Sequence, residues 1–415
     1  MRSYLIFLRD NATWLGAGLA LSLLSTFGQT AFVSVFAADI AATHGLGQGG
    51  WGAIYAAGTT LSAAVMVWAG GLADRVALPR LAAIMLLGLA ASCTAMTVAP
   101  VWALIPVVLG LRLFGQGMLS HIAYVAMARW FTAGRGRAVA LVAVGFALGQ
   151  SSLPLGFTTL LASGIGSTAL WLASAAACLL AIWPVTRLMA RPRVAAGQEA
   201  AGDDAPGLGR HHWTRAEVLR TGVFWALVPA LIAPPAFGTA FFFFQTHLPE
   251  VKGWSQVGFV ALFPLVFAGS VATAIATGAL VDRMGAARLL PWALLPMAAG
   301  FVWLAWAPSL VAAVPAALLL ALTQGAMQVV PVAMWAELFG TRHIGAVKAA
   351  AVAIAVLGTA VGPGLCGALI DRGIDFPAQM PGIAGYILGA AALAAMALSR
   401  GRTARLAARG ATLPA

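Results

Sequence analysis

Charge is what this sequence has least of: Asp, Glu, Lys and Arg make up 9% of its 415 residues, against 61% hydrophobic. So few polar side chains cannot cover a water-soluble globule, and the mean hydropathy of +0.92 agrees. Acid is scarcer than base, with 12 Asp and Glu against 24 Lys and Arg. No acid falls deep inside an apolar run. Cysteine is nearly absent. Cys93, Cys178 and Cys366 stand singly in separate runs, a spacing that fits neither a disulfide framework nor a thiolate metal site. His211 and His212 are too few and too adjacent to argue for a metal, so no metal or other cofactor is expected. A phosphate-binding loop of the GxxxxGKS/T form is missing too, which argues against ATP hydrolysis. The stretch "GLGQGG" at 45–50 matches GxGxxG in form, but no strand precedes it, and a dinucleotide site is not expected there.

Long apolar runs are what the chain has in quantity. A membrane-spanning helix needs about 20 mainly apolar residues, and such runs fall near 14–38, 51–71, 81–99, 102–127, 138–162 and 167–188. Six more fall near 222–246, 257–279, 289–307, 309–334, 345–369 and 381–399. Ala99-Pro100 and Ala307-Pro308 divide two stretches too long for one span, since proline ends helices well. The first run is too long for a cleavable signal peptide and is needed as a span.

Basic residues test this division, because Lys and Arg gather in cytoplasmic segments. With the N-terminus inside, 21 of the 24 fall in cytoplasmic segments, Lys252 and Arg372 fall in external loops, and Arg112 lies within the membrane. Twelve spans with both termini cytoplasmic satisfy the pattern, in a multi-pass protein of the cytoplasmic (inner) membrane. The net charge of +12 is spread over seven short segments beside helix ends. Anchoring to anionic lipid explains that spread better than nucleic-acid binding.

The chain also repeats itself. "GGLADRVALPR" at 70–80 returns as "GALVDRMGAARLL" at 278–290, a shift of 208 residues that also superimposes Gln116-Gly117 on Gln324-Gly325 and Phe131 on Phe339. Two six-helix halves of one origin are implied: 1–188, then a linker at 189–221, the second half at 222–399 and an Arg-rich tail at 400–415. Within the linker, "WTRAEVL" has the form of a short helix with a capping box, Thr214 with Glu217.

On the two "GxLxDR" motifs the chain resembles the major facilitator superfamily, and the likeness runs over essentially its whole length. The fold this implies is all-α and integral to the membrane, twelve transmembrane helices in two pseudo-symmetric bundles. The resemblance makes Gly70, Asp74, Arg75 and Arg80 elements of a conformational latch, with Gly278, Asp282, Arg283 and Arg288 as a second copy. The glycines would let backbones approach, and the aspartates would accept from a neighbouring helix N-terminus. Ala77 departs from the family's usual glycine. "ARWFTAGRGRAVALVAVGFALGQSSLP" at 128–154 looks like the monocarboxylate and oxalate/formate branches. "GTAVGPGLCG" resembles the superfamily's helix-contact motif, through Gly358, Gly362 and Pro363.

The stretch "GLRLFGQGMLSH" at 110–121 puts a permanent cation inside the fourth run, where a central arginine costs roughly 3 kcal/mol on insertion scales. Gln116 and Ser120 come at i+4 and i+8 on one face of the helix, which points that face to the interior or to a water-filled cavity. Gln29, Gln245, Gln324 and Gln328 extend such a polar lining. The resemblance adds that helices 1, 4, 7 and 10 line a central cavity. His121 reads first as an inter-helix hydrogen bonder. Pro234 and Pro235 in "APPAFGTAFFFFQTH" suggest a broken seventh helix, a common transporter device.

These residues fit a secondary active transporter working by alternating access and carrying a small organic anion such as a carboxylate. Two other readings stay open: efflux of drugs or amphiphilic metabolites on the same fold, with Arg112 structural, and a membrane sensor that moves nothing. An enzyme is not expected, because no nucleophile, base or metal ligands converge within the bilayer. The expected partners are a small-molecule substrate, the lipid bilayer and, as an open point, a co-transported proton, with a single chain sufficient.

Overall fold

Backbone amides in hydrocarbon find no water to bond, so apolar runs of this length are stable only as helices. The computed structural model describes residues 2–131, 135–190 and 206–411, and helices carry nearly all of them. Eleven are single helical spans long and apolar enough to cross a membrane: Gln48–Ala69, Leu78–Ala95, Val101–Trp130, Arg137–Ala162, Ser167–Met189, Gly222–Phe243, Gln256–Met284, Ala286–Trp306, Leu310–Phe339, Ile344–Ile370 and Phe376–Ala397. The first span is two pieces, Ala12–Gly28 and Thr30–His44, bent by 48°. With that pair counted as one, spans 1 to 12 match the twelve apolar runs. Both proline boundaries hold, between spans 3 and 4 and between spans 9 and 10. The last span starts earlier than its hydropathy suggests, because Pro377 sits in its first turn, where its missing N–H costs nothing.

The broken helix is not the expected one. Span 7 runs without interruption through Pro229, Pro234 and Pro235. An interior proline costs about 3 kcal/mol, and span 7 recovers stability by lying backbone to backbone on span 11. A Cβ at Gly358 would meet the Ile232 carbonyl at 3.1 Å, and one at Gly362 would overlap the Ala236 carbonyl. Span 1 contains no proline, yet it breaks at Gln29, whose backbone is extended (φ −84°, ψ 153°) between a 3-10 turn at Ser25–Gly28 and the helix that resumes at Thr30.

The chain separates into two compact units. Unit 1 comprises Met1–Ala200 with Gln245–His247 and Ser255–Pro264, and unit 2 the remainder. In unit 1, Phe27, Phe32 and Phe36 of span 1 meet Phe157 of span 5, and Phe32 and Phe36 meet Trp171 of span 6, with most rings edge to face. In unit 2, Trp213 packs on Phe339, which stacks on Trp335, and Trp335 packs on Phe224. Lys252 donates to the carbonyls of Ala305 and Ala307 at 2.9 and 3.1 Å, placing a cation on the C-terminus of span 9. A terminal helix, Arg400–Ala411, buries Leu406.

Residues 191–205 of the expected linker lie outside the described part of the structure. The rest of that linker bears out the capping box: Thr214 starts the helix Arg215–Leu219, its hydroxyl accepts from the Glu217 N–H, and the Glu217 carboxylate accepts from the Thr214 N–H at 2.7 Å. His211 Nε2 lies 3.3 Å from the same carboxylate. Burial alone would raise the Glu217 pKa, but the bonds from Thr214 and His211 outweigh it and hold the group below its ordinary value. A carboxylate depressed on folding stabilises above its unfolded pKa, about 4.3, and that stability is lost as pH falls through the lower folded value. Amide protection of 215–219 is therefore expected to fall as pH drops below about 4, and Glu217→Gln should abolish that dependence. Protection unchanged down to pH 3 would refute the cap as an acid-sensitive element.

Candidate functional site

Span 4 is wound as a π-helix from Leu111 to Leu119, a widened turn that recurs at functional sites. It crosses span 1 at its break. A Cβ on Gly115 would lie 2.7 Å from the Gly28 Cα, so only two glycines let the backbones meet. The break turns the Gly28 carbonyl and the Thr30 hydroxyl toward Arg112, whose Nη1 donates to them at 3.4 and 3.2 Å. Tyr55 of span 2 donates to the Thr30 hydroxyl at 2.7 Å, and its ring lies 5.4 Å from the guanidinium carbon.

Arg112 is 3% exposed. Its partners are a carbonyl, a hydroxyl and a π-face, all neutral, and among the described residues no carboxylate pairs with it. Its Nε is buried without a hydrogen-bond partner, as are Gln116 Oε1 and Ser120 Oγ on the same helix. Gln29 is buried at the break. Gln245, also in unit 1, donates to the Ala31 carbonyl at 2.7 Å and leaves its own Oε1 buried and unpartnered. A bound anion would accept from the Arg112 Nε–H and the Ser120 hydroxyl, whereas the Oε1 acceptors of Gln116 and Gln245 call for a donor such as ordered water. In unit 2, Gln324 is half-buried and Gln328 exposed, both on span 10.

Sequence reasoning missed Thr30 and Tyr55, which set the orientation of the cation. The signal for Tyr55 was available, as one of only four tyrosines and inside an apolar run. Thr30 carried none. His121 is placed differently from expectation. Its ring approaches Gly70 and makes no hydrogen bond among the described residues.

The latch residues divide. Gly70 caps span 2, the short helix Leu72–Arg75 comes next, and Arg75 and Arg80 are exposed. The Asp74 side chain lies outside the described part. Arg129, at the end of span 4, donates to the Ala73 carbonyl at 2.8 Å. In the second copy Asp282, Arg283 and Arg288 are exposed, and a Cβ on Gly278 would meet nothing within 4 Å. The close approach expected at Gly278 is absent because open space faces it, and Asp282 caps no helix. The N-terminus of span 9 is capped instead by Glu337, which accepts from the amides of Ala286 and Ala287 at 2.9 and 3.2 Å. Glu337 stands where the 208-residue shift places Arg129, so one position grips a carbonyl with a cation in one half and amides with an anion in the other.

Among known proteins, the model of the Major Facilitator Superfamily matches residues 18–363. Similar solved structures include a bacterial homologue of the human lysosomal transporter Spinster, in an inward-facing and unoccupied conformation. That chain is 15% identical with a TM-score of 0.69, the match covering 98% of this chain and 99% of the other. The nucleoside transporter NupG is 13% identical with a TM-score of 0.69, over 93% and 98%. At these identities the likeness is one of fold. Comparison with curated protein sequences finds no match.

Proposed function

This chain belongs to the major facilitator superfamily, and from that premise we propose that it is a secondary active transporter moving a small organic anion, a carboxylate foremost, by alternating access. The observation that carries the substrate class is Arg112: a buried cation whose partners among the described residues are all neutral, its Nε unsatisfied. Such a charge is stabilised when an anion accepts from it, and the bonds formed are charge-assisted. The Ser120 hydroxyl and the side-chain amide N–H groups of Gln116, Gln29 and Gln245 are the donors proposed to orient the remaining oxygens. By the same criterion, a polar group on an apolar helix, Gln324 and Gln328 are substrate contacts contributed by span 10.

The two "GxLxDR" segments act as latches during the conformational cycle. On residues 128–154 the chain resembles the monocarboxylate and oxalate/formate branches, which fits a carboxylate substrate. Both termini face the cytoplasm in an inner membrane, the orientation that the basic residues favour, and one chain suffices for transport.

Thermal stabilisation of the purified protein, run against small carboxylates, other anions, lipophilic cations and neutral sugars, tests this reading. Stabilisation by one group of anions is the expected result, together with uptake of that anion into sealed liposomes. Stabilisation by lipophilic cations alone would sink it in favour of amphiphile efflux.

A further inference from the structure

Unit 2 holds a cavity of about 430 Å³ bounded by span 7 (Ile232 to Phe237), span 11 (Val361 to Leu369) and the first half of span 12 (Ala378 to Tyr386). Its size is at the lower end of the roughly 300–1,000 Å³ usual for small-molecule sites. Its side is open: Val361, Leu365 and Tyr386 are each about half exposed. These residues belong to membrane-spanning helices, so what reaches the opening in a bilayer is lipid.

The walls are largely apolar, and among the described residues no charged one lines them. Two polar groups interrupt them: the Tyr386 hydroxyl, which donates to the Pro229 carbonyl at 3.5 Å, and Gln379, only 7% exposed, one turn into span 12 at the end of the cavity beside the loop of residues 371–375. Its Nε2 donates to the carbonyls of Cys366 and Ile374 at 3.0 and 2.7 Å, which fixes the amide's orientation. The Oε1 is left buried with no partner. A buried acceptor in that state calls for a donor. From Ala378 the cavity continues about two turns, roughly 12 Å along the helix axis, to Tyr386. One polar acceptor at the interfacial end and an apolar channel leading inward match a molecule with one donor head and one chain.

We propose that this cavity binds a neutral single-chain amphiphile whose hydroxyl donates to Gln379 Oε1 and whose alkyl chain lies along spans 7, 11 and 12. The absence of lining charge selects against anionic and cationic heads, and the volume admits one chain. All its lining residues lie in unit 2.

The test uses the full chain in phosphatidylcholine nanodiscs, labelled with a dodecanol analogue that carries a diazirine in its chain, with the attachment sites mapped by peptide mass spectrometry. Labelling is expected in spans 11 and 12, competed by dodecanol about tenfold more effectively than by dodecyl methyl ether, the worth of one hydrogen bond to a buried acceptor. Gly382 lines the cavity and a Cβ there meets nothing within 4 Å, so Gly382→Leu adds bulk at the cavity wall and should reduce labelling to background. Labelling spread over other spans, or unchanged in a folded Gly382→Leu, overturns the site. Equal competition by alcohol and ether overturns the role of Gln379, and that comparison needs no variant.

Discussion

Arg112→Gln is expected to weaken anion binding at least about thirtyfold while leaving the protein as heat-stable as the wild type or more so. The first half rests on the size of the interaction: truncating one partner of a buried charge pair costs about 2–5 kcal/mol, and each 1.4 kcal/mol is a factor of ten. The second half rests on what Arg112 lacks. A buried guanidinium held by a carbonyl, a hydroxyl and a ring face has no carboxylate among the described residues to offset its desolvation, and replacing such a cation by a neutral amide of similar reach removes that cost. An arginine retained to hold span 1 on span 4 would give the opposite pair of results: a lower melting temperature and unchanged ligand binding. The two roles therefore differ in the sign of one measurement made without ligand, and a clear fall in melting temperature would remove the basis for the anion reading.

Gly28→Ala should cost more in stability than any other single methyl added to span 1. The added carbon would overlap the Leu111 carbonyl and lie 2.8 Å from the Gly115 Cα. Both are backbone atoms of the π-turn, so no rotamer change relieves the contact and the helices must separate. Overpacking typically costs about 1–3 kcal/mol, occasionally more. Because the same crossing presents the Gly28 carbonyl to Arg112, ligand stabilisation should fall with the melting temperature. Gly16→Ala, on the same span with nothing within 4 Å of the new carbon, is the control and should be neutral or slightly stabilising, since alanine is favoured over glycine in helices by about 1 kcal/mol. Equal melting temperatures for the two variants would show that the glycine contact does not hold the crossing.

Much of the architecture was legible because hydrocarbon imposes length and composition on each span. The spans, the proline boundaries and the capping box at Thr214 can all be read from local pattern. The site was legible only in its charge. Arg112 announces itself against an apolar background, but the feature that orients it, the break at Gln29, carries no proline or positive-φ glycine to mark it. Local chemistry pointed to span 7, where three prolines sit, and tertiary packing against Gly358 and Gly362 keeps that helix whole. In span 1 a helical Gln29 is given up for contacts 80 or more residues away in sequence, made by Arg112 with Gly28 and Thr30. The cap on span 9 escaped for a related reason, since Glu337 and Ala286 are 51 residues apart and nothing local pairs them.

The break at Gln29 also makes two half-helices of span 1, each with its own dipole. Arg112 lies against the carbonyl end of the first, which carries roughly half a negative charge. Unlike a carboxylate, that partner has no proton to gain. Acidification cannot cancel it, so the hold on Arg112 is the same at every pH at which the helix is folded. Under the anion reading, the contact that holds Arg112 therefore adds no acid dependence of its own to binding.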